Sequence, residues 1–75
     1  MDKFIEVVEK LGVKIHNIKI RPLPPVFSTH GIYEVQVDWQ LPLHEIIRNG
    51  YTSLSVDDAL TCLYRDIEQQ VRIRQ

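Results

Sequence analysis

Few residues in this 75-residue chain carry reactive chemistry, and their spacing decides what they can do. Cys62 is the single thiol. A thiol nucleophile needs a base beside it and a lowered pKa. Cys62 falls mid-way along a helical pattern, about 140° from the centre of its apolar stripe. It therefore reads as an inert thiol on the helix flank. His16, His30 and His44 lie far apart, with no pair at metal-ligand spacing. Asp57 and Asp58 form an acidic pair, but they occupy the first turn of the same helix, where carboxylates meet the positive end of its dipole. No glycine-rich phosphate loop and no nucleophile elbow appears. A chain of this size has little room for a ligand pocket beside a core. These residues argue against an enzyme and call for no cofactor and no metal.

The basic residues offer a second chemistry. Lys14, Lys19 and Arg21, with Arg65, Arg72 and Arg74, would bind phosphates if the first strand and the end of the last helix lay together. The simpler reading is solubilising charge, since Glu68 to Arg72 is a supportive i,i+4 pair. The formal net charge is −1, so no strong field draws the chain to nucleic acid or anionic lipid.

The element that must position everything else runs from Ser55 to Arg74. Val56, Ala59, Leu60, Leu63, Tyr64, Ile67 and Val71 recur at the offsets of one helical face. Ser55 stands where its hydroxyl can cap the open first turn. A shorter helix is expected over Asp2 to Leu11, with Phe4, Val7, Val8 and Leu11 on one face and Gly12 as its stop.

Between the helices the period changes to two. Val13 and Ile15 alternate in one phase, Ile18 and Ile20 in the other. A phase change needs a bulge, placed here at His16-Asn17. Pro22-Leu23-Pro24-Pro25 cannot continue a central strand and reads as a rigid, extended connection more than as a PxxP ligand. From Ile32 to Leu41, Tyr33, Val35, Val37, Trp39 and Leu41 alternate strictly with polar residues, which marks one buried and one wet face. Residues 43–54 admit two readings. Either a strand pair turns at Asn49-Gly50, or Pro42 opens one helical turn; extended structure is favoured because two strands make a poor sheet.

The expected fold is α+β: one domain over residues 1–75, with N- and C-terminal helices packed on one face of a small two- or three-stranded antiparallel sheet, α-β-β-(β)-α. The expected core is Phe4, Val8, Leu11, Ile18, Ile20, Val35, Val37, Trp39, Leu60, Leu63 and Ile67. The element order resembles that of the double-stranded-RNA-binding domain, which is also about this long. In that family the start of the last helix is lysine-rich and grips phosphates. The matching stretch here, Ser55-Val56-Asp57-Asp58-Ala59-Leu60, carries two carboxylates, which at roughly 1 kcal/mol per close charge pair would repel RNA. The likeness is of topology, and the family is not assigned.

Seventy-five residues bury only roughly 60% of the surface exposed on unfolding, so such a domain needs help to be stable. One cysteine excludes an internal disulfide, which leaves self-association or docking on a larger partner. The charged, amphipathic start MDKFIEVVEK does not read as a signal peptide, so a reducing, cytoplasmic setting is expected. No apolar run is long enough to span a bilayer, so no membrane partner is expected. The expected function is a small non-catalytic intracellular protein-interaction or regulatory module, of a size that suits a phage or mobile-element accessory protein. Val26, Phe27, Tyr51, Tyr64 and Ile73 are the candidate contact residues, because they exceed what the fold needs. Nucleic-acid binding through the six basic residues is the alternative, and a subunit completing an enzyme's site is a third reading.

Overall fold

The computed structural model describes residues 2–24 and 32–74. In chain order they form α1 (Asp2–Glu9), β1 (Lys14–Pro22), β2 (Tyr33–Gln40), β3 (Ile47–Ser53) and α2 (Val56–Arg74). The strands make one antiparallel sheet in the order β1-β2-β3. The architecture is the expected α+β arrangement, with the third strand present. No described helix is long and apolar enough to cross a membrane.

Strict alternation in β2 sends Val35, Val37 and Trp39 inward, all three fully buried. α2 rests on β3 and β2, and α1 packs against α2 and β1. Phe4 and Val8 of α1 join Ala59, Leu60, Leu63, Ile67 and Val71 of α2 over that face. Of the expected core, Leu11, Ile18 and Ile20 are only partly buried, while Val13 and Leu41 are buried with the rest.

The phase change in β1 is real. Ile15 pairs with Trp39 and Asn17 with Asp38, so His16 is the extra residue of a bulge. It returns Ile18 and Ile20 to the face that Ile15 occupies, opposite Val37 and Val35. β1 is an edge strand, which is why Pro22 can end it without breaking a second ladder.

Three local expectations need correction. α1 stops at Glu9, short of Leu11, and closes in a tight turn: Leu11 N–H donates to Val8 C=O at 2.9 Å and Gly12 N–H to Glu9 C=O at 3.0 Å. Gly12, at φ 88°, then takes the left-handed conformation that ends the helix. Asn49-Gly50 is not a turn but the middle of β3, paired with Val37 and Gln36. The chain reverses instead at Leu41-Pro42-Leu43-His44, where His44 N–H donates to Leu41 C=O at 3.1 Å. That turn is neither a strand nor a helical start. Pro42 supplies its first corner, and Leu43 its second at φ 66°, a position that glycine or asparagine ordinarily fills.

Candidate functional site

One face of the sheet is covered by helices, and no described helix packs on the other, here called the bare face. Register puts Lys14, Asn17, Lys19 and Arg21 of β1 on the bare face with Gln40, Asp38, Gln36 and Glu34 of β2 and Arg48, Gly50 and Thr52 of β3. Its charges are largely paired. Arg21 Nε–H donates to Glu34 Oε1 at 2.8 Å. Arg48 grips Asp38 with two donors, Nε at 2.7 Å and Nη2 at 3.3 Å. The hydrogen bond from Arg48 holds the Asp38 carboxyl below its ordinary pKa; desolvation opposes this, and the charges of Arg48, Lys19 and His16 reinforce it.

The six basic residues of the phosphate reading are divided between the layers. Lys14, Lys19 and Arg21 lie in β1, while Arg65, Arg72 and Arg74 belong to α2 on the opposite side of the sheet. Arg72 stands 3.7 Å from Glu68. The two described histidines are taken up at the Gln40 end of the sheet. His16 Nε2 lies 2.8 Å from Gln40 Oε1, whose amide donates to the His44 carbonyl at 2.7 Å. His44 Nδ1 carries a proton, because its partner at 2.9 Å is the Pro42 carbonyl, which can only accept. His30 lies outside the described residues, as do Val26 and Phe27.

Tyr51 and Tyr64 fall on opposite flanks of α2. Tyr64 lines an open depression between the helices with Lys3, Phe4 and Val7, and its hydroxyl donates to Glu68 Oε2 at 3.3 Å. Tyr51 stands on β3 against Cys62. The thiol beside it, desolvation and nearby Asp66 raise the phenol pKa above its ordinary value. Cys62 thus has a phenol for a neighbour, while the two described histidines sit at the Gln40 end of the sheet. Among the described residues no group of three or more metal-ligating side chains gathers. Ile73 is exposed at the end of α2.

What the structure does bring together is the outer edge of β3. Leu23 N–H donates to Ile32 C=O, and Ile32 N–H donates to Ser53 C=O. Ser53 therefore faces β2, and by alternation so do Tyr51, Asn49 and Ile47. The backbone groups of Arg48, Gly50 and Thr52 point the other way, where no described strand meets them. Exposed Ile46 and Leu54 flank this edge, and Tyr51 stands half-open beside it. Sequence reasoning found Tyr51 but missed Ile46 and Leu54, because Asn49-Gly50 disguised the strand they bracket.

β1, the other edge, carries the usual guards: a bulge at His16, the lysines Lys14 and Lys19, and Pro22, which has no N–H. β3 has no bulge, lysine or proline. Comparison with models of known protein families, with curated proteins and with solved structures yields no match.

Proposed function

We propose that this chain is a small non-catalytic protein-binding module that works inside the cell, with the outer edge of β3 as its contact. The observation that carries the reading is the contrast between the two sheet edges. An unguarded strand with three residues of outward backbone donors and acceptors recruits another strand, and apolar residues at its ends add burial. Of the contact residues expected from the sequence, Tyr51 lies on this strand.

The test compares the tagged full chain with a variant carrying Ile46→Lys and Leu54→Lys. Both positions are exposed, so the fold is expected to survive. Affinity capture from the native host and light scattering then show whether wild type retains a partner chain, its own or another, that the variant loses. Identical behaviour of the two proteins would sink the reading.

Nucleic-acid binding is a second reading, favoured by the bare face on which Lys14, Lys19, Arg21 and Arg48 lie. Two of those four are neutralised by Glu34 and Asp38. If it holds, binding to duplex or single-stranded probes is expected to weaken steeply with added salt; no binding at low salt excludes it.

A further inference from the structure

We infer that the β3 edge pairs with β3 of a second copy, antiparallel, about a two-fold axis at Gly50, joining two sheets into one of six strands. The inference rests on the protein-binding reading and names its partner.

Alternation restricts the registers. Only residues whose backbone points outward can exchange hydrogen bonds, so Arg48, Gly50 and Thr52 must meet members of the same set. An axis at Arg48 sets two guanidinium groups face to face. An axis at Gly50 sets Arg48 opposite Thr52 on both sides. It also overlaps the whole stretch from 46 to 54 and sets exposed Ile46 against exposed Leu54 at each end. No like charges then face each other across the junction.

Gly50 supports the same axis. A glycine weakens a strand interior and often marks the close approach of another backbone. Among the described residues nothing requires it: a Cβ there would lie 3.5 Å from Gln36 Cγ and 3.8 Å from the Val35 carbonyl, ordinary contacts. The helical layer fits as well. Strands lie about 4.8 Å apart, and α2 is seated over β3 and β2. The two copies of α2 would therefore run roughly 10 Å apart, the spacing of packed helices.

Thr52 gives a register-specific test. Thr52→Arg sets like charges across the junction, whereas within its own chain the new guanidinium meets Glu34, the cross-strand partner. Thr52→Glu does the reverse. Sedimentation of the full chain from about 1 to 100 µM is expected to show a concentration-dependent dimer. Thr52→Arg is expected to weaken it about three- to tenfold and Thr52→Glu to tighten it by a similar factor. Thermal melts of the monomers should move the opposite way, which separates pairing from folding. Amide exchange should show Arg48, Gly50 and Thr52 gaining protection with concentration. A chain that stays monomeric at the highest concentration overturns the inference. So does a dimer that responds equally to both variants. If the monomer still captures another protein that the Ile46/Leu54 variant loses, the protein-binding reading stands without the second copy.

Discussion

Asn49 shows how one side chain settles what a local pattern leaves open. Followed by glycine, it reads as a hairpin turn. In the folded chain its Oδ1 accepts from the buried Trp39 indole at 2.7 Å and from Gln70 Nε2 at 3.3 Å. That demand comes from residues 10 and 21 positions away, beyond the reach of local sequence. Asn49→Leu strands the indole N–H and is expected to cost roughly 1–3 kcal/mol in urea unfolding, whereas Asn49→Asp keeps the acceptor and costs less. Leu43 is the converse case, a side chain ill-suited to its backbone. It is fully exposed and sits at φ 66°. Leu43→Asn is expected to stabilise the domain by roughly 0.5–1 kcal/mol, read as a rise in melting temperature. Asp38 adds a pH dependence. Its folded pKa is depressed, so its contribution is full above the ordinary value of 3.8 and is lost as pH falls through the folded value. Arg48→Met should raise the Asp38 midpoint in an NMR titration. The variant's deficit in stability at neutral pH should vanish in strong acid, where both proteins are protonated.

Elements were legible in proportion to how much of their signal is periodic. α2 was clear because its stripe, Val56 to Val71, spans about four turns, and its start is fixed as expected: Asp58 N–H donates to Ser55 Oγ at 3.1 Å. Ser55→Ala is expected to cost about 1 kcal/mol in thermal unfolding, while Ser55→Asp, which keeps a capping oxygen, should not. β2 was clear because every second residue is apolar. β3, Ile-Arg-Asn-Gly-Tyr-Thr-Ser, has one aliphatic residue and no alternation to read. It is a strand because β2 templates it on one side while Ile47 packs against the core and Asn49 bonds Gln70 of α2. The candidate site was hidden for the same reason, since an open edge is a property of pairing order and not of composition.

At the scale of the molecule, both helices and the sheet share one thin core. Trp39, Leu63 and Ile67 are its largest fully buried side chains. Leu63→Ala is expected to cost about 2–5 kcal/mol, enough to unfold much of a domain this small at body temperature; near-ultraviolet circular dichroism would report it. The bulge at His16 ties the two halves of that core together. Its imidazole is exposed and, among the described residues, hydrogen-bonds only Gln40, so what matters at this position is the presence of a residue more than its identity. Swapping the ring for a methyl group should leave the architecture standing. Excising the position altogether should turn α1, Val13 and Ile15 out of step with Ile18 and Ile20, and no rearrangement elsewhere in so short a polymer can restore the count.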